Sequence, residues 1–116
     1  MALDDPLTIE RTAGSAPGVE ILRLTGPVTL RNLWDLQAEM RKAPPPPVTI
    51  LDLSGVPYMD SAGMGAVINH YTHCAAKGTK LIAAGVSSRV MELFRLTRVD
   101  TVIPIAATVE EAESRA

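Results

Sequence analysis

Few side chains in this sequence could do chemistry, and most of them fall in one stretch. Asp60 and Ser61 stand side by side after an apolar run, Val48 to Leu53, and a turn marked by Ser54, Gly55 and Pro57. Gly63 and Gly65 follow, then His70, His73 and Cys74. The apolar run reads as a buried strand, and Asp60 and Ser61 open a helical pattern. A short polar side chain at a helix start can accept a hydrogen bond from a free first-turn N–H. Those N–H groups and the helix dipole also make the corner receptive to negative charge. Ser61 could thus be a nucleophile, a phosphate acceptor or a helix-start residue.

A serine nucleophile needs a histidine base within hydrogen-bond reach. His70 lies ~13 Å along the helix axis from Ser61, at ~1.5 Å rise per residue, and His73 lies farther. Neither can activate the hydroxyl within one chain. Met59 and Asp60 precede Ser61, so the Gly-x-Ser-x-Gly elbow is absent as well. No catalytic residue is expected. His70 and Cys74 share a helical face while His73 points elsewhere, which leaves at most two convergent ligands where structural zinc wants four. No metal site is expected. Gly63-Met64-Gly65 lacks the Lys-Ser or Lys-Thr of a phosphate-binding loop, and no cofactor is expected. Each glycine in a helix costs ~1 kcal/mol relative to Ala. Two of them beside Ala62 and Ala66 predict close approach of another backbone, from the sheet of this domain or from a partner protein.

The elements that must position this stretch follow from periodicity. Leu7 to Thr12 and Val19 to Thr25 alternate as strands, and the Gly14–Gly18 turn between them predicts a hairpin. Leu30 to Lys42 has helical spacing, with Leu33, Leu36 and Met40 on the apolar stripe joined by Leu30 and Trp34, and Thr29 as the expected N-cap. The four prolines from Pro44 to Pro47 predict an extended connector. The central helix spans Ser61 to Ala76. Met64, Val67, Ile68, Tyr71, Cys74 and Ala75 are expected to face the sheet, and Ala62, Gly65, Ala66, Asn69 and His73 to face outward. Lys80 to Ala84 is a strand. Ser87 or Ser88 caps a helix buried through Val90, Met91, Leu93, Phe94 and Thr97. Thr101 to Ile105 is a short strand, and Thr108 caps a last helix ending at Ser114. Strands separated by single helices imply parallel neighbours and right-handed crossovers. The expected fold is α/β: one mixed, mostly parallel sheet of four to five strands, with an N-terminal β-hairpin and about four helices packed mainly on one face.

Composition narrows the function further. A chain of 116 residues, 47% hydrophobic and with net charge −2, fits one domain with an aliphatic core. Residues 1–5 and 115–116 read as flexible ends. No block of Lys or Arg draws nucleic acid or an anionic membrane to the surface. The single cysteine, Cys74, suits a reducing compartment. The acidic N-terminus lacks the apolar core of a signal peptide, and no apolar stretch reaches the ~20 residues that span a bilayer. A soluble, cytoplasmic protein is expected, without direct membrane contact.

Asp60-Ser61-Ala62-Gly63-Met64-Gly65, after a hydrophobic strand and Tyr58-Met59, resembles the Asp-Ser-x-Gly-Leu-Gly motif of STAS domains. More narrowly it is similar to the bacterial anti-sigma factor antagonists. Leu24-Thr25-Gly26 fits the family's second strand and its exit, and Ser88 to Phe94 fits the helix after the fourth strand. The resemblance implies a non-enzymatic switch in transcription regulation. In that family the serine after the aspartate is phosphorylated by a cognate anti-sigma factor, itself a serine kinase that brings ATP and metal. The unphosphorylated antagonist binds the anti-sigma factor and frees the sigma factor. Carried onto this chain, the resemblance makes Ser61 the phosphoacceptor and Asp60 its positioning neighbour. The expected docking surface is Asp60, Ala62, Gly63, Met64, Gly65, Ala66, Asn69, Thr29, Val86 and Ser87. A monomer or weak dimer is expected. Thr29 stands where the family often carries an aspartate, and Thr97-Arg98 where it closes its third helix with Thr-Gly or Ser-Gly. The Thr29 departure favours the alternative of an unmodified STAS scaffold subunit in a signalling complex or a lipid-transport ATPase.

Overall fold

The longest apolar run of the chain forms the middle of the sheet. In the computed structural model, which describes residues 6–116, that strand is β3 (Val48–Gly55), covered on both faces through Leu53. The reading of residues 1–5 as a flexible end lies outside the described residues. β1 (Thr8–Ala13) and β2 (Val19–Thr25) form the antiparallel hairpin, and β2, β3, β4 (Lys80–Ala84) and β5 (Ile105–Ala106) run parallel. The spatial order is β1-β2-β3-β4-β5, the same as the order in the chain.

That order decides where the helices go. Each parallel step is bridged by one crossover: α1 (Leu33–Met40), α2 (Ser61–Ala76) and α3 (Ser88–Leu96). Successive right-handed crossovers advancing in one direction put their helices on the same face. Leu36 and Met40, Met64 and Val67, and Val90 and Phe94 accordingly share one core with Leu22, Leu51, Leu53 and Leu81 of the sheet. α4 (Val109–Ser114) follows the last strand and returns across the other face, where Ala112 packs with Ile21, Ile50, Ile82 and Ala84. Among the described residues no helix is long and apolar enough to cross a membrane.

Several expected boundaries move, each for a local reason. α1 begins at Leu33, not Leu30, because residues 30–32 form a turn closed by bonds of the i to i−3 kind, Asn32 N to Thr29 O at 3.0 Å and Leu33 N to Leu30 O at 3.4 Å. Thr29 is therefore not its N-cap; Asn32 holds that place, and its Nδ2 donates to the Pro27 carbonyl at 2.6 Å rather than capping. Leu30 and Trp34, expected on the buried stripe, are 63% and 72% exposed. The strand expected over Thr101 to Ile105 is mostly irregular: Thr101 ends a 3₁₀ turn, Val99–Thr101, and β5 is only Ile105 and Ala106. Arg98, just before that turn, sits in the left-handed region at φ 62°. A non-glycine residue in that region costs about 1–2 kcal/mol. Thr97, expected on the buried side of α3, is exposed, and its hydroxyl donates to Leu93 O at 2.8 Å. Ser87 rather than Ser88 caps α3, and Thr108 caps α4. Arg115, read as part of a loose end, donates from Nη1 to Ile105 O at 2.9 Å.

α2 turns slightly from the expected wheel. α1 packs beside it, so the helix is covered on a second flank as well as by the sheet. Ala66 and His70 become buried, while Ile68 and Ala75, expected to face the sheet, are exposed. Burial lowers the His70 imidazole to about 4, helped by the like charges of His73, Arg11 and Arg41. An unfolded histidine takes up its proton near pH 6.5. The unfolded state therefore binds more protons between pH 6.5 and about 4, and stability falls as pH drops through that window. The midpoint of urea unfolding should decline from pH 7 to pH 4.5, and His70→Gln should flatten the decline. An equally steep decline in the variant would contradict this role for His70.

Candidate functional site

The Ser61 corner is built from backbone outward. After β3 the chain turns through Val56, whose N–H donates to Leu53 O at 3.0 Å. The segment then runs beside the loop that leaves β2, as an isolated parallel bridge between Val28 and Met59. Val28 N donates to Tyr58 O at 3.0 Å, and Asp60 N donates to Val28 O at 3.2 Å. Asp60 is extended, at φ −97° and ψ −178°, and caps α2: its Oδ1 accepts from Gly63 N at 2.8 Å. Its Oδ2 accepts from Leu30 N at 3.1 Å. One carboxylate thus holds both the helix start and the turn before α1.

The two glycines have different reasons. A Cβ on Gly63 would lie 2.2 Å from Val28 O, so the close approach is made by the β2–α1 loop of this same chain. A Cβ on Gly65 would meet nothing within 4 Å. Gly65 is exposed and leaves a shallow place on the surface. The expectation of a neighbouring backbone therefore holds at Gly63 and not, within this chain, at Gly65.

Ser61 is exposed on the first turn of α2. Ala62 is half-buried, and Gly65 and Asn69 are exposed along the helix beyond it. Ile68 joins them at 38% exposure. Val86 and Ser87 are half-buried in the next loop, at the same carboxyl end of the parallel strands. That loop is held close: a Cβ on Gly85 would lie 2.9 Å from the Ser54 Cβ. The Ser87 hydroxyl already accepts from Val90 N at 3.3 Å. The other expected surface residues lie inside. Gly63 is buried against Val28, and Met64, Ala66 and Thr29 are 3%, 2% and 7% exposed. They support the face from beneath, because the loop and α1 cover the flank that helical periodicity alone left open. Among the described residues the buried Thr29 hydroxyl has no hydrogen-bond partner.

Two polar arrangements near the site went unread in the sequence. Asp52 is buried within the apolar strand, and Arg23 faces it in register on β2. Arg23 Nε donates to Asp52 Oδ2 at 2.8 Å; Ser54 N and Oγ donate to Oδ1 at 3.0 and 2.7 Å. Burial pushes the Asp52 carboxyl up, but the Ser54 and Arg23 hydrogen bonds outweigh it and hold it below the usual range. Opposite charges at matched positions of adjacent strands were the available signal. The Arg89 guanidinium also lies over the Tyr58 ring, 4.9 Å from its centroid, a cation–π contact that ties α3 to the segment before Asp60.

His70 Nε2 and Cys74 Sγ lie 3.8 Å apart in the core, and burial raises the Cys74 thiol. Among the described residues no group of three or more His, Cys, Asp or Glu side chains is placed to hold a metal ion.

Comparison with known proteins places this geometry. A family model described as STAS domain matches residues 11–112. An anti-sigma-B factor antagonist of Listeria monocytogenes is 33% identical over 55 residues, 47% of this chain and 48% of the relative. The chain thus spans about half the length of the curated relatives it matches. Among solved structures, an anti-sigma factor antagonist from Mycobacterium paratuberculosis superposes with a TM-score of 0.86 at 20% identity, covering 99% of this chain and 97% of the other. The phosphorylated form of the Bacillus cell fate determinant SpoIIAA superposes at 0.71 with 20% identity, covering 93% and 98%. At these identities the structures share the fold.

The glycine pair provides a test of the corner. Gly63→Ala should destabilise the chain by about 1–3 kcal/mol, as overpacking against fixed backbone does. Gly65→Ala should stabilise it by about 0.5–1 kcal/mol, since it adds helix propensity in open space. Urea denaturation of both variants checks this; equal effects would contradict the asymmetry.

Proposed function

This chain belongs to the STAS domain family, and from that premise we propose that it is an anti-sigma factor antagonist. It acts as a single non-enzymatic domain, a docking module whose affinity is set by the phosphorylation state of Ser61. Unmodified, it binds an anti-sigma factor serine kinase in the cytoplasm and thereby frees the sigma factor. The kinase supplies ATP and metal, phosphorylates Ser61 and lets go.

One observation carries this reading: the Ser61 hydroxyl is exposed on the first turn of a helix whose outward side beyond it is small and smooth. A kinase can reach it, and a partner can lie flat over Ala62, Gly65 and Asn69, with Val86 and Ser87 at the edge. Asp60 fixes the turn that presents the hydroxyl and stands beside the approaching nucleotide. The Listeria relatives named as anti-sigma-B factor antagonists, and a solved relative in phosphorylated form, support the reading.

The physics of the switch is local. A phosphate adds about −1.5 to −2 charges at the docking face. The first-turn N–H groups and the helix dipole accommodate it without unfolding the domain. Against a partner, an uncompensated charge costs about 2–5 kcal/mol, or about 30- to 4,000-fold in affinity. No change of fold is required.

Incubation with a cognate anti-sigma factor kinase and Mg-ATP should place one phosphate on Ser61, read by mass spectrometry. Ser61→Ala should abolish incorporation and keep binding, and Ser61→Asp should weaken binding at least about 30-fold. A Ser61→Asp chain that binds as tightly as wild type would contradict the switch. Unmodified Ser61 after such incubation would favour the scaffold reading, to which the buried Thr29 in place of an acidic neighbour lends weight.

A further inference from the structure

β5 leaves part of the β4 edge without a strand partner. It pairs with β4 only at Ala83 and Ala84. Ala83 N donates to Pro104 O at 2.9 Å and Gly85 N to Ala106 O at 3.3 Å, whereas Lys80 N donates to Pro47 O on the β3 side. Main-chain groups of successive strand residues turn to alternate sides. Leu81, in the same phase as Ala83, therefore turns its N–H and C=O to the β5 side, where among the described residues no strand pairs with it. Continued back by the same register, Ile103 would face Leu81, but its N–H donates to Val99 O at 2.9 Å, back into the 3₁₀ turn Val99–Thr101.

A cavity of about 310 Å³ fills this notch. It reaches from Tyr71 and Ala75 on α2, past Leu81 and Pro104, to Arg115 at the end of α4 on the opposite face of the sheet. Lys80 stands at its rim. Among the described residues the ion pairs engage Arg11, Arg23 and Lys42, and neither Lys80 nor Arg115 meets a carboxylate. Arg115 spends one N–H on Ile105 O and keeps the rest of its guanidinium fork. The volume is at the small end of ligand pockets, and the lining has their usual mixture: apolar walls with a few convergent polar groups.

We propose that this notch binds a small organic anion, a carboxylate, sulfonate or phosphate carried on a flat apolar body. The anionic group meets Lys80 and Arg115, which both line the notch and have no carboxylate partner among the described residues. The apolar body lies against Ala75, Pro104 and the Tyr71 ring. The site is at the carboxyl end of α2, about 20 Å along the helix from Ser61 at ~1.5 Å per residue. Occupancy leaves the Ser61 face open, and the proposal stands independently of the phosphorylation reading.

The probe is 1-anilinonaphthalene-8-sulfonate, titrated into the ¹⁵N-labelled chain and followed through amide chemical shifts. The expected result is saturable shifts confined to Ala75, Thr79 to Ile82, Ile105 and Arg115. The double variant Lys80→Glu, Arg115→Glu, both positions exposed, should bind about tenfold or more weakly with its spectrum otherwise unchanged. Ala75→Trp, which fills the notch from an exposed helix position, should abolish the shifts. The uncharged N-phenyl-1-naphthylamine should bind more weakly than the sulfonate. Shifts centred on Leu30 and Trp34, no binding, or affinity indifferent to the charge reversal would overturn the proposal.

Discussion

The carboxylate of Asp60 accepts from two main-chain amides that belong to different parts of the chain, Gly63 on α2 and Leu30 in the turn before α1. Around it the backbone is drawn tight: Val28 both donates to Tyr58 and accepts from Asp60, and Gly63 comes so close to Val28 that no side chain fits. Where the β2–α1 loop lies, where α2 begins and which way the first turn faces are therefore coupled. Removing an N-cap alone costs about 1 kcal/mol. Here the other oxygen of the same carboxylate also fastens a second segment, so the constraint reaches beyond one helix end.

The coupling explains how an exposed site is held in place. Ser61 follows Asp60, whose main chain and carboxylate are both hydrogen-bonded, and is itself exposed. The helix beyond it is bare at Gly65, while Met64, Ala66 and Val67 anchor its other side in the core. A charge added at Ser61 meets fixed dipoles and a fixed neighbour, Asp60, rather than a segment that can swing away. On the proposed reading, a face held in this way suits control of docking by charge better than control of shape.

The sheet and its order were legible because the strands are short apolar runs divided by helical spacing and by Gly and Pro. The start of α2 was legible from Asp60 and Ser61. What periodicity could not supply was which flank of a helix a second helix covers. α1 lies along α2, so Ala66 is buried and Ile68 is not. Trp34 and Leu30 read as core because apolar spacing carries no information on where the core is, and residues 30–32 close bonds of the i to i−3 kind before α1 begins. Thr29 has the chemistry of a cap, but the loop places it beneath the surface. At the far edge, Thr101 to Ile105 had strand-like composition, yet the left-handed Arg98 starts a 3₁₀ turn that takes the chain away from β4. The notch beside Leu81 is a consequence of that turn and has no signature in the sequence.

The Ser61 face and the Leu81 notch sit at opposite ends of one helix, and both depend on how α2 is seated. The seating is tested most directly by amide hydrogen exchange in Asp60→Ala, compared with wild type. If the carboxylate joins the two segments, the amides of Leu30 and Gly63 lose protection together while those of β3 keep theirs. Loss at Gly63 alone, with Leu30 unchanged, would show that Asp60 is only a helix cap and would contradict the account.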